Sequence, residues 1–374
     1  MTQIGRGIGS EIKTILNKAQ NNVEIEPEEA LELLKVTGKE FNALQTVADD
    51  LCREKKEDVV TFIVNRNINF TNICHQGCKF CSFSVPIQSE EGFLLSLEEI
   101  GEKVEEAKEM GCSEVCIQGG IHPDIDFEYY LNILKTVKNV DPKIHTHAFS
   151  PQEVYGMAKK SGNSLEETMT ELKKAGLNSM PGTAAEILND EIRKIICPNK
   201  VSTSEWIHII STAHRTGIPT TSTMMYGHIE SLEDRITHLQ IIRDIQKDTG
   251  GITEFVPLPF VKDKPILSRL KNHPLQSTHG MDDLKLFCVA RLFFNNLIDN
   301  LQCSWVKLGP KFAQVSLNYG VNDFSGTLME ENISKSAGAE FGESLSAEEM
   351  IDIIRSAGKK PAQRDTVYNI LKYY

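Results

Sequence analysis

The 374-residue chain is 40% hydrophobic and 25% charged, the profile of a globular protein, and its formal charge of −12 leaves no basic field to hold a nucleic acid or an anionic membrane surface. No apolar run approaches the roughly 20 residues that cross a bilayer, and the N-terminal MTQIGRGIGSEIKTILNKAQ lacks the continuous apolar core of a secretion signal, so a cytoplasmic protein is expected. Nine cysteines in such a chain point to metal binding, catalysis or burial, not to a disulfide framework. Cys74, Cys78 and Cys81 cluster together, whereas Cys52, Cys112, Cys116, Cys197, Cys288 and Cys303 are scattered and read as small buried hydrophobes.

In chain order, residues 1–55 read as a helical segment, since EPEEALELLKV and EFNALQTVADDLCREKK carry apolar positions at helical spacing with charges opposite. VVTFIVNRNINFTN then reads as a strand or hairpin running into the cysteine loop. From there helix and strand alternate. Ser96 with Glu99, Ser164 with Glu167 and Ser202 with Glu205 form capping boxes that open three helices. The strands expected between helices are SEVCIQGG, KIHTHAFS, LNSMPG, IPTTSTMMYG, ITEFVPL, LQCSWVKLG and, after only a short connection, AQVSLNYG. Eight strands with loop signals at their C-terminal ends suit a parallel (β/α)8 barrel over residues 56–335, although a doubly wound open sheet alternates in the same way. The remainder, 336–374, reads as a helical extension whose SAEEMIDIIRSAGKKPAQRDTVYNILKYY supplies two outer helices.

The chemistry concentrates in NICHQGCKFCSF, a C-x3-C-x2-C triad directly after the first strand. One loop of that spacing can give thiolates to three irons of a 4Fe–4S cubane and leave the fourth open to a chelating amino acid such as S-adenosylmethionine. Tetrahedral zinc, with His75 or a distant histidine as fourth ligand, is the alternative, and so is a plain electron-transfer cluster.

With Phe80 in its aromatic position, the triad resembles the C-x3-C-x-aromatic-C signature of the radical S-adenosylmethionine superfamily. VNRNINFTNIC, EVCIQGGIHP, IHTHAFSP, SMPGTAAEIL, ICPNK, GIPTTSTMMYGH, TGGITEFVPL and NDFSGTLMEENI resemble, more closely, its family of tyrosine-using FO synthase subunits. The resemblance implies one 4Fe–4S cluster on Cys74, Cys78 and Cys81, and S-adenosylmethionine held by Phe80, the Gly119–Gly120 turn, Glu186, Lys200, Met225 and Gly227. Relatives place the acid on the cofactor ribose, the cation on its carboxylate and the Met-Tyr-Gly stretch on adenine. His145 and His147 alternate on one strand and could both point into the barrel, which makes them, with Tyr226, candidates for catalysis. Gln118, Glu254, Asn322, Asp323 and Thr327 stand at strand ends, where polar groups could bind substrate.

The implied reaction transfers the 4-hydroxybenzyl group of L-tyrosine to 5-amino-6-(D-ribitylamino)uracil in deazaflavin coenzyme biosynthesis. It needs an external electron donor and a second radical subunit (CofG-like) to close the ring. A menaquinone-pathway radical enzyme and a non-catalytic iron–sulfur or zinc protein are the rival expectations. Ser82-Phe83-Ser84-Val85-Pro86 replaces the basic residues of many relatives and leaves the acceptor open.

Overall fold

The computed structural model describes residues 7–374. Helices Ser10–Gln20, Pro27–Lys35 and Gly38–Lys56 come first, as their apolar spacing predicts. Leu33, Leu44 and Leu51 turn inward on helices that pack against later helices of the barrel wall, Leu232–Thr249 and Gly280–Phe293, while Leu16 is buried on the helix that packs against these two.

The strands are β1 (Val59–Ile63), β2 (Asn65–Asn69), β3 (Glu114–Gln118), β4 (His145–Ala148), β5 (Thr220–Tyr226), β6 (Ile252–Pro259), β7 (Asp323–Gly326), β8 (Lys360–Arg364) and β9 (Ile370–Tyr373). β2, β3 and β4 pair in parallel, as do β5 and β6. Single parallel bridges join them: His147 to Ser179, Met180 to Thr220, Phe255 to Leu301 and Gln302 to Asp323. β7 pairs in parallel with β1, which continues into β2, so eight strand positions close into a ring. This is the (β/α)8 barrel that the alternation suggested. The three foreseen capping boxes form with both reciprocal hydrogen bonds, each satisfying backbone donors that helix starts leave open.

The end of the barrel differs from expectation. The seventh strand is only the bridged pair Leu301–Gln302, and Trp305–Leu308 is a short helix. AQVSLNYG is not the eighth strand. Pro310–Ser316 is helical, because Gly309, at φ +80°, turns the chain and Pro310 takes the first helical position. Ala313, Ser316 and Leu317 then share a buried face at helical spacing, while Val315, which strand alternation would bury, is exposed. β7 takes the eighth position instead.

The C-terminal segment also departs from two helices. Ala347–Ser356 is one, but β8 and β9 form an antiparallel hairpin. β8 adds to β1 in parallel, from Val59 opposite Lys360 to Ile63 opposite Arg364. Edge pairing with a distant strand overrides the local helical pattern of VYNILKYY. The hairpin then turns into the base of the barrel. Arg364 is 3% exposed and donates to both oxygens of the fully buried Asp323, at 2.5 and 3.1 Å, with Glu254 3.6 Å away. Thr366 donates to Glu114 at 2.7 Å and the Tyr368 hydroxyl donates to Glu254.

Arg364→Met should lower stability by about 3–5 kcal/mol, the usual cost of leaving one buried charge without its partner. Thermal or denaturant unfolding measures this, and Asp323→Asn added to it should restore part of the loss.

Candidate active site

The cysteine loop follows β2 at the C-terminal rim of the barrel and is held from several sides. Cys74 N–H donates to Val85 O at 3.0 Å, Lys79 N–H to Ile196 O at 2.8 Å, and Asn199 Nδ2 to Gln76 O at 3.0 Å. Cys74, Cys78 and Cys81 are free, partly exposed thiols facing one cavity of about 430 Å³. Burial pushes the Cys78 thiol up to about 12, and bonding to a metal cation would favour its thiolate. Among the described residues no three His, Cys, Asp or Glu side chains converge on a single-ion site. A cubane asks for one thiolate per iron, which a loop of three spaced thiols fits. His75, the zinc alternative's neighbouring fourth ligand, has Nδ1 on Ile121 O at 2.7 Å and Nε2 on Gln76 at 3.2 Å, so both ring nitrogens are engaged elsewhere.

The Gly119–Gly120 turn after β3 lies against that loop. A Cβ on Gly120 would stand 2.3 Å from the Ile73 carbonyl oxygen, and one on Gly119 would stand 2.6 Å from the Phe70 ring. Only glycine permits this approach. Glu153 holds the turn from below, accepting from Gly119 N–H at 3.1 Å and from the backbone and hydroxyl of Ser150 at 2.6 Å. Burial raises its carboxyl to about 7 against those hydrogen bonds.

Across the mouth, Glu186 accepts from Lys200 at 2.7 Å. Ala184 and Glu186 both adopt left-handed backbone, at φ +61° and +47°, which turns the Glu186 side chain into the cavity. Burial opposes the Lys200 charge, but Glu186 and the thiols of Cys78 and Cys197 outweigh it and raise its pKa. The Lys200 ammonium is 5.2 Å from the centre of the Phe80 ring, which lines the same wall. An acid, a cation and two glycines around a thiol triad fit a cofactor that carries a ribose and an amino-acid end.

The other expected residues divide. Met225, Gln118, Glu254 and His147 face the cavity. His145 does not line it; its Nε2 meets Ser179 Oγ at 2.7 Å, and His147 Nδ1 meets the same oxygen at 2.6 Å. One hydroxyl proton serves both, so the two rings hold complementary tautomers around Ser179. Burial pushes His145 down to about 4 and also lowers His147, which leaves both neutral at physiological pH. Tyr226 is fully buried outside the cavity beneath the Arg235 guanidinium, and Gly227 lines a separate side cavity. Asn322, Asp323 and Thr327 do not face the mouth. Asn322 accepts from Arg291 at 2.7 Å, Asp323 pairs with Arg364, and Thr327 donates to Asn65 O at 2.8 Å, so packing uses all three. Among the scattered cysteines, Cys116 is the exception to burial and lines the cavity.

Several cavity residues were not foreseen. Glu153 was legible as a further capping box after KIHTHAFS, whereas Gln302, Lys307, Glu331, Arg364 and Thr366 had no local signal. Burial lifts Glu254 to about 7 against the pull of Arg364, and Gln302 donates to it at 2.9 Å. The floor is thus polar and protonatable, while Met225, Val256, Leu258 and Val306 give apolar walls.

A closed parallel barrel with a three-cysteine loop at the rim of its first strand is the architecture of radical S-adenosylmethionine enzymes, and residues 68–242 match the Radical SAM superfamily. Two solved structures share the fold at 17% identity: the FeFe-hydrogenase maturase HydG, with TM-score 0.76 over 96% of this chain and 77% of that one, and methylornithine synthase (PylB), with TM-score 0.72 over 93% and 97%. Residues 249–373 match the CofH/MqnC C-terminal region. The 5-amino-6-(D-ribitylamino)uracil–L-tyrosine 4-hydroxyphenyl transferase of Archaeoglobus fulgidus is 56% identical over 87% of this chain and 92% of its own length. Its namesake in Methanocaldococcus jannaschii is 51% identical over 93% and 98%. The chain belongs to the family of these transferases, within the radical S-adenosylmethionine superfamily. Membership implies a 4Fe–4S cluster and S-adenosylmethionine.

Replacing Cys74, Cys78 or Cys81 by Ala should abolish iron and sulfide uptake in anaerobic reconstitution, and Cys288→Ala should leave both unchanged. Glu186→Ala and Lys200→Ala should retain the cluster yet weaken S-adenosylmethionine binding by about 1.5–3 kcal/mol, the worth of a charged hydrogen bond, in equilibrium titrations.

Proposed function

We propose that the chain carries out the reaction for which these relatives are named, moving the 4-hydroxybenzyl group of L-tyrosine to 5-amino-6-(D-ribitylamino)uracil. Iminoacetate, methionine and 5′-deoxyadenosine leave as co-products. The observation that carries this reading is one continuous cavity running from the cysteine loop at the rim to the polar floor. A cluster relay needs no such chamber, and the transferase name of relatives at about half identity supports this reaction over a menaquinone-pathway one.

In this reading Cys74, Cys78 and Cys81 hold one cluster, and Gly119–Gly120, Glu186 and Lys200 orient the amino-acid and ribose ends of S-adenosylmethionine. When bound, this pair supplies a 5′-deoxyadenosyl radical by one-electron cleavage. The chain's own residues fix both substrates and exclude water. Met225, Val256, Leu258 and Val306 enclose aromatic rings, and Gln118, His147, Glu254 and Gln302 offer donors and acceptors to the uracil and its ribityl chain. A side chain fragment released there meets its acceptor before it can escape. Glu254, lifted to about 7, can hold or release a proton beside the acceptor. A reductant and a second radical subunit complete the pathway step, and a reducing cytoplasm suits nine free cysteines. Among the described residues no helix is long and apolar enough to cross a membrane.

Reconstituted protein given S-adenosylmethionine and dithionite anaerobically should form more 5′-deoxyadenosine when L-tyrosine is added. A coupled hydroxybenzyl-uracil should appear by mass spectrometry only with both substrates. Absence of both responses would remove the transferase reading and leave the radical class intact.

A further inference from the structure

The main cavity is lined by three cations, and two of them have carboxylate partners: Lys200 is paired with Glu186, and Arg364 with Asp323 and Glu254. Lys307 is the third. Among the described residues no carboxylate stands at ion-pair distance from it, and its ammonium meets no hydrogen-bond acceptor. Its backbone is nevertheless fixed. The helix Trp305–Leu308 is anchored by Trp305, which is fully buried and donates from Nε1 to Gly326 O at 2.9 Å, and Lys307 N–H donates to Ser304 O at 3.1 Å. Lys307 borders both the main cavity and the side cavity of about 510 Å³ that opens beside it. Burial lowers its pKa, and the charges of Glu331 and Glu186 act from a distance in the opposite sense.

Glu331 lines the same cavity, and its carboxylate is held without a cation. Its carboxylate accepts from Asn67 Nδ2 at 2.8 Å and from Ser334 N–H at 2.9 Å, capping the helix Asn332–Ala337. Two opposite charges that share a chamber and do not touch leave room for a molecule carrying both. An α-amino acid zwitterion is the smallest such molecule: its carboxylate would satisfy the ammonium and its amino group the carboxylate. Desolvating an unpaired ammonium is costly, so an arriving carboxylate gains a charge-assisted bond at a site already stripped of part of its water.

We propose that Lys307 and Glu331 are the two ends of the α-amino-acid subsite, Lys307 taking the substrate carboxylate and Glu331 its amino group. The proposal rests on the tyrosine reading above and adds the residues that recognise its backbone end. With the zwitterion clamped there, the phenol side of the substrate is left to the apolar wall and the scissile Cα–Cβ bond lies between. Neither residue is hydrogen-bonded or ion-paired to Cys74, Cys78 or Cys81, so iron loading is expected to be independent of both.

The test is equilibrium binding to iron-loaded protein with S-adenosylmethionine and no reductant, using L-tyrosine, tyramine (no carboxylate) and 3-(4-hydroxyphenyl)propionate (no amine). Wild-type protein should prefer L-tyrosine over either analogue by about tenfold or more, the scale of a lost charged hydrogen bond. Lys307→Met should lose the preference over tyramine and keep that over the propionate. Glu331→Gln should do the reverse, and Lys307→Arg should restore part of the carboxylate preference. Iron content should stay at wild-type values in each, and Lys307→Met should not lower the melting temperature, since it removes a charge that has no partner. Lys307→Met protein that binds L-tyrosine at wild-type affinity, with tyramine still disfavoured, overturns the subsite and spares the tyrosine reading. Wild-type protein that binds no L-tyrosine overturns both.

Discussion

Arg364 donating to Asp323 across the base of the barrel is the contact that lets the interior be a chamber. A parallel barrel normally fills its centre with layers of apolar side chains, and this one places Glu114, Glu254, Asp323 and His147 there. Such a set of acids is tolerable in a dry interior only with a cation among them and with every remaining lone pair given a donor. Arg364 supplies the charge, Tyr368 and Thr366 supply donors, and all three arrive from a hairpin outside the eight strand positions. The floor is therefore polar, closed and fixed, which leaves the rim free to hold the cysteine loop.

The rim uses backbone geometry more than side-chain bulk. Gly120 lies where any Cβ would strike the Ile73 carbonyl, and Glu186 is aimed by left-handed backbone at its own position and at Ala184. The same carboxylate of Glu153 accepts from Ser150 N–H in a capping box and from Gly119 N–H, so the turn beside the cysteine loop is tied to the helix behind it. These arrangements position a ligand before it arrives, which is where a radical reaction gains most, since a misplaced target invites a different hydrogen donor.

What was legible in the sequence was whatever depended on short-range pattern. The triad, the glycine pair and the capping boxes are read from neighbours a few positions apart, and the structure places the glycines, Glu186, Lys200 and Met225 on the wall shared with the cysteines. The end of the barrel was misread because AQVSLNYG alternates like a strand while Pro310 and the burial of Ala313, Ser316 and Leu317 make it a helix. Asn322 and Asp323 stand at the start of the eighth strand, not after its end, which is why packing and not the mouth uses them. Arg364 and Lys307 lay beyond sequence reasoning, since the meaning of each comes from charges brought near by folding.

The pairing of β1 with β8 also fixes an order of events. β1 is among the first strands of the barrel, yet Val59 cannot meet Lys360 until nearly all of the intervening chain has been made and folded around it. Until then the cysteine loop, carried by the very next strand, hangs from a ring without a base, open to solvent from below as well as above. The floor under the triad is therefore completed by the last part of the chain to be made, and the loop and its base are joined only when the hairpin docks.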